Sequence, residues 1–169
     1  MPREPGLWDA IHTAIEARFA EIHTALPGRI EKYDHEKALA EVQPLLRKNY
    51  RDGTSAELPI IANVPVVWPR TSEFAFAAPL ARGDSVLLVF CERSLEGWLS
   101  NGGLVTPTDR RKFDLSDAVA IPGLWPFSED TGIDAGDEVQ IRYRDARIRI
   151  QKNGTIDMND GNLTVEAGT

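Results

Sequence analysis

Three histidines, one cysteine and a handful of carboxylates are the residues with which this 169-residue chain could do chemistry. His12 and His23 fall on one predicted helix about three turns apart, too far to share a metal ion, and His35 sits in a predicted hairpin turn. Surface or capping roles follow for all three. Cys91 lies in the apolar run SVLLVFCE, the setting of a buried thiol rather than of a nucleophile. A lone cysteine also leaves no disulfide within one chain. Glu92 and Glu96 have the type needed for paired-carboxylate glycoside cleavage, but nothing in the sequence builds a cleft around them, and ion pairing with Arg93 accounts for them more simply. The acids Glu129, Asp130, Asp134, Asp137 and Glu138 lack the spacing of an EF-hand. In DMNDGN, around Asp157, the glycine comes one residue too early for that loop, so a hairpin turn is expected. The HExxH, GxSxG, P-loop and paired CxxC signatures are absent from the sequence. The expectation is a protein that is not an enzyme and carries no cofactor and no metal.

Charge narrows the partners. A formal net charge of −7 argues against wrapping a nucleic-acid backbone, because that affinity comes from clustered Lys and Arg neutralising phosphates. Arg110, Arg111 and Lys112 form the one tight basic run, read as a solvated loop. A composition of 42% hydrophobic and 27% charged residues is that of a soluble globular protein. No apolar run approaches the ~20 residues that a membrane-crossing helix needs. The start, MPREPGLWDAIHTAIEARFAEI, has no charged segment followed by an apolar block, so no secretory signal is expected.

The elements that would position these residues are mostly strands. Leu7, Ile11, Ile15, Phe19 and Ile22, with Trp8 beside them, recur at helical spacing and predict an amphipathic helix over residues 1–24, ended by Pro27-Gly28. Such a helix can pack on its own domain or clasp a neighbouring subunit. GRIEKYD, a DHEK turn and ALAEVQPLL then predict a hairpin whose second arm Pro44 makes an edge, bulged or interrupted strand. ELPIIANVPVVW, EFAFAAPLA and DSVLLVFCE complete five strands, the last entered through a tight RGD turn. Proline at 59, 65, 69 and 79 suits a small closed barrel of the oligonucleotide/oligosaccharide-binding type (OB-type) better than a flat sheet, and the barrel is placed at residues 25–105. Residues 106–137 are rich in glycine and proline and are read as an irregular connecting segment, a length of loop that normally serves an interface or function.

Residues 138–169 return to alternation. Ile148/Ile150, Ile156/Met158 and Leu163/Val165 are apolar pairs at period two, separated by KNG and NDG turn signals. Two or three such strands cannot bury enough area to be stable in water, so their apolar face needs a cover. Their recurrence every seven or eight residues is that of the rungs of a β-solenoid or prism.

The blocks GDSVLLVFCERSLEGWL and DLSDAVAIPGL, preceded in order by ALPGRIEKYD, AEVQPLL and VPVVWP, resemble the N-terminal barrel domain of phage baseplate spike proteins, the membrane-piercing needles of contractile tails. The resemblance spans roughly residues 25 to 125. It implies an OB-type barrel, a homotrimer about one axis, and C-terminal segments intertwined as a trimeric β-helix or prism. It further implies partners among baseplate hub and tube proteins, reached through the barrel end and the N-terminal helix, transient contact with the host outer membrane, and a place in the virion after synthesis in the host cytoplasm. Ile148, Ile150, Ile156, Met158, Leu163 and Val165 would then face the shared trimer core, while Arg147, Arg149, Lys152 and Asp157 stay wet. Many such spikes hold iron at a pointed apex through a His-x-His motif, and this chain has no histidine after His35. No bound iron is expected, and the needle would either end blunt or carry a separate tip protein. The fold class expected is therefore mainly β: an N-terminal helix, a five-stranded OB-type barrel, and a trimeric β-spike. The alternative is a barrel that binds single-stranded nucleic acid or oligosaccharide. That would need a basic groove with stacking platforms, whereas Trp68, Phe74, Phe76 and Trp98 are embedded in apolar runs.

Overall fold

The computed structural model describes residues 6–50, 52–107, 109–130 and 136–161. It divides into two compact units, Met1–Trp125 and Pro126–Thr169. No helix among the described residues is long and apolar enough to cross a membrane.

Helix α1 spans Leu7–Phe19 in the first unit. The Asp9 carboxylate accepts a hydrogen bond from the Gly6 amide at 3.0 Å, satisfying an amide that the first turn would leave unpaired. Among the described residues of α1 none is buried. Leu7, Trp8 and Phe19 are 76%, 82% and 64% exposed, so the apolar stripe is formed but uncovered among the described residues.

Strands β1 (Ala25–Asp34), β2 (Leu39–Pro44), β5 (Ile61–Pro65), β6 (Ser85–Phe90) and β7 (Ala118–Pro122) make one antiparallel sheet in the order β5-β2-β1-β6-β7. A two-residue pair, β3 (Lys48–Asn49) with β4 (Ser55–Ala56), projects from it in sequence between β2 and β5. The sheet curls into a half-barrel. Its two edges are brought together by a bridge between Val66 and Ala120 and by a 2.8 Å hydrogen bond from the Val67 amide to the Ala120 carbonyl. Alternate residues of β2 and β6 point inward, as period-two strands require. With the other strands they form a core of Ile30, Ala40, Val42, Ile61, Val64, Val66, Val86, Leu88, Phe90, Ala118 and Ala120. Gly28 sits in that core because nothing larger fits: a Cβ there would lie 2.7 Å from Val42 Cγ1 and 3.0 Å from Leu88 Cδ1.

Two readings from the sequence meet corrections here. EFAFAAPLA does not supply the fifth strand. Only Ala75 pairs, in an isolated bridge with Arg70, and Phe74 and Phe76 stay exposed. Pro79 denies this segment a ladder amide. The fifth strand is AVAIP, inside the stretch read as irregular, where the small inward residues Ala118 and Ala120 let β7 close against β6. Pro44 does not make β2 an edge or bulge it: β2 lies between β5 and β1, Pro44 pairs in register with Gly28 and ends the strand, and the register shifts fall instead between Ile30 and Lys32 and between Ala40 and Val42. The RGD turn forms as expected, with Gly83 at φ 103 and the Asp84 carboxylate accepting from the Ala81 amide at 2.7 Å. A helix α2 (Glu96–Asn101) follows β6.

In the second unit β8 (Glu138–Tyr143), β9 (Ala146–Gln151) and β10 (Ile156–Met158) form an antiparallel meander in the order β10-β9-β8. The Asn153-Gly154 turn joins β9 to β10, with Gly154 at φ 86 and the Asn153 side chain accepting from the Thr155 amide at 2.9 Å. Within DMNDGN, Asp157 and Met158 end β10 and Asn159–Gly161 form a tight turn, while Asn162 and any returning arm of the expected hairpin lie outside the described residues. Asn159, Asp160 and Gly161 all adopt positive φ, and the Asp157 carboxylate takes the Gly161 amide at 3.2 Å.

Candidate assembly site

The ladder of the second unit decides which side chains share a face. Val139 pairs with Ile150 and Ile150 with Ile156; Ile141 pairs with Ile148 and Ile148 with Met158. Residues directly opposite in an antiparallel pair project to the same side, and period two keeps the two rows together. One face is therefore a grid of six aliphatic side chains, with Tyr143 beside it. Val139, Ile141, Ile150, Ile156 and Met158 are 61%, 49%, 44%, 60% and 36% exposed. Among the described residues of this unit none is buried.

The opposite face is polar and largely paired, although the buried Arg149 Nε has no hydrogen-bond partner among the described residues. Arg149 stands across the ladder from Asp157 and pairs with it, and also donates to Asp160 at 2.7 Å. Arg147 pairs with Asp160 as well. The Asp157 carboxylate holds the Arg149 guanidinium above its ordinary pKa. Glu138 accepts from Gln140 at 2.6 Å, and Asp137 from Lys152 at 3.2 Å. The acids suspected as a cation site are thus partly spent on ladder neighbours, and Asp134 lies outside the described residues. No grouping of His, Cys, Asp and Glu suited to a metal occurs among the described residues.

Of the six interface residues expected from sequence, the fold brings Ile148, Ile150, Ile156 and Met158 onto one face. Leu163 and Val165 lie outside the described residues. Val139 and Ile141 belong to the same grid and were missed, although EVQIRY carries the same alternation.

In the first unit the distinctive blocks meet at a buried polar cluster. Asp117 is 2% exposed and Ser94 is 7% exposed. Arg111 donates to Asp117 Oδ2 at 2.6 Å and Oδ1 at 3.1 Å, and to Ser94 Oγ at 2.7 Å. Asp117 Oδ1 also accepts from the Leu95 amide at 2.9 Å, and Cys91 N–H donates to the Asp117 carbonyl at 3.0 Å. One carboxylate therefore ties ERSLEGWL to DRRKFDLSDA, and the bidentate pair raises the Arg111 pKa. The basic run is not wholly a solvated loop: Arg111 turns inward. Asp114 caps the turn that delivers β7, accepting from Ser116 N and Oγ at 2.9 and 2.7 Å, which lowers its pKa.

Cys91 is half-buried, and burial followed by the nearby Asp117 pushes its thiol pKa up, the opposite of what a nucleophile needs. His12 and His35 are exposed. His23 is half-buried with its ring 5.5 Å from that of Phe90, and burial together with Lys48 lowers its pKa against the pull of Asp114. Glu92 pairs with Arg93 at 3.3 Å, as the simpler reading expected.

Residues 26–123, more than half of the chain, match the family described as Phage protein Gp138 N-terminal domain. A comparison with curated proteins gives no match.

Proposed function

The chain belongs to the Gp138 N-terminal domain family of phage proteins, and from that premise we propose that it is a virion structural protein, the homotrimeric central spike of a tail baseplate. In this reading it helps pierce the host outer membrane on tail contraction and has no catalytic activity. The barrel end is held by hub and tube proteins, and the needle ends blunt or carries a separate tip protein.

One observation carries the reading: the grid of Val139, Ile141, Ile148, Ile150, Ile156 and Met158, uncovered among the described residues and backed by a polar face. Fully burying a side chain of this size contributes about 1.5 to 3 kcal/mol. A sheet that leaves this much unspent is suited to a core shared between copies about an axis. Three sheets facing inward as a prism would bury the grids and leave Arg147, Arg149 and Asp157 outside, with the backbone paired along the rod.

Immuno-electron microscopy of intact particles with an antibody against this chain tests the placement. Label at the distal tip of the tail is the expected result. Label on the capsid, or none on particles opened to expose the baseplate, would sink the spike and return attention to a binding module.

A further inference from the structure

The apolar grid of the second unit is bounded differently at its two ends. At one end the ladder closes with Glu138 opposite Gln151, both on the polar side. One step further out, alternation carries Asp137 and Lys152 to the side of Val139 and Ile150. The Lys152 ammonium donates to the Asp137 carboxylate at 3.2 Å. Lys152, expected from the sequence to stay wet, therefore has the parity of Ile148 and Ile150 and not that of Arg147 and Arg149. At the other end Tyr143 stands opposite the small Ala146, in the row beyond Ile141 and Ile148, and the Arg144 guanidinium lies 5.4 Å from the centre of the Tyr143 ring. Along the face the order is thus ion pair, two aliphatic rows, tyrosine.

The polar neighbours of the ion pair are engaged elsewhere. Glu138 has the opposite parity and accepts from Gln140, and the Asn153 side chain accepts from the Thr155 amide. Among the described residues this end of the face therefore carries one negative and one positive charge per chain. The Asp137 and Lys152 side chains are 81% and 78% exposed, so each has room for a second counter-charge. An exposed pair of this kind contributes little to stability. Its weight lies in specificity: at the end of an apolar core a charge without a counter-charge is costly, which favours the one arrangement that pairs them all. Sheets that face one another in a common direction bring every ion pair to the same end. Sheets in opposed directions press each ion pair against the tyrosine end of a neighbour.

We propose that Asp137 and Lys152 of the three copies meet at one end of the shared core as a ring of alternating charges, each Asp137 taking the Lys152 of its own and of the adjacent copy, and that this ring sets the common direction and register of the sheets. The partner is a second copy of this chain, so the inference rests on the homotrimer reading.

The test uses the full chain in two charge-reversed forms with different tags, Asp137→Lys and Lys152→Asp, with barrel melting as the check on folding. Each form alone sets like charges around the ring, and its self-association by light scattering is expected to weaken about tenfold or more against the unchanged chain. Co-expressed, the two forms are expected to assemble with each other into a species that holds both tags, which a pair confined to single chains could not achieve. Reversed forms that each assemble as well as the unchanged chain, or that do not rescue one another, overturn the ring while leaving the trimer standing. Direction is read separately. With Cys91→Ser as background, Lys152→Cys is expected to link to the same position of another copy through a short bismaleimide. A link that forms only between chains carrying Lys152→Cys and chains carrying Tyr143→Cys marks opposed sheets and also overturns the ring. An unchanged chain that is a monomer by scattering overturns the trimer and the ring together.

Discussion

The half-barrel and the C-terminal sheet are built from similar strands, yet the half-barrel wraps a core of its own and the sheet does not. In the barrel, eleven apolar side chains are buried and the curled sheet meets its own edge at Val66 and Ala120. In the second unit a grid of similar side chains stays open among the described residues. The same local code therefore ends in two outcomes. Five strands can wrap a core, whereas three can only present a face. The lesson is that stability and assembly should be separable in this protein by mutation.

The largest separation is expected at the open grid. Ile148→Asp places a charge in the middle of the apolar rows, and we expect it to abolish self-association while the melting of the barrel stays unchanged; sedimentation and thermal unfolding read the two effects. A barrel that melts together with the lost assembly would erase the distinction between the regions. Next comes Asp117→Ala, which strips the partner from the Arg111 guanidinium and from the Leu95 amide at once. A loss of about 3 kcal/mol in urea unfolding is expected. Gly28→Ala should cost about 1 to 3 kcal/mol, because its Cβ would press into Val42 and Leu88.

The smallest effect is one of pH. His23 is held below its ordinary pKa mainly by burial, so the unfolded chain binds the proton more readily than the folded one. Its contribution is complete above the unfolded value of about 6.5 and is lost as pH falls below it. Barrel stability should therefore decline on acidification through that window, and His23→Gln should flatten the slope there. An unchanged slope in the variant would assign the pH dependence to the carboxylates instead.

Much of this was legible in the sequence because it rests on periodicity and turn chemistry. Alternation located β1, β2 and β9, a continuous apolar run located β6, glycine and asparagine marked the turns, and the helical spacing of Leu7, Ile11, Ile15 and Phe19 foretold α1. What failed depended on packing. AVAIP is too short and too small to outweigh EFAFAAPLA by propensity, and it wins because Ala118 and Ala120 fit against the core. Arg111 looked solvated because its partners Asp117 and Ser94 are brought to it only by the fold. In the candidate assembly site the pairs in β9 and β10 were visible, but their register with Val139 and Ile141 was not, since register is a property of two strands.

The solution mass by light scattering, on the intact chain and on one stopped after Asp137, tests the central claim most directly. The account predicts three times 18.7 kDa for the intact chain and, for the shortened one, a mass that falls toward a single chain on dilution. A monomeric intact chain would leave the grid uncovered by any copy of itself and contradict the spike.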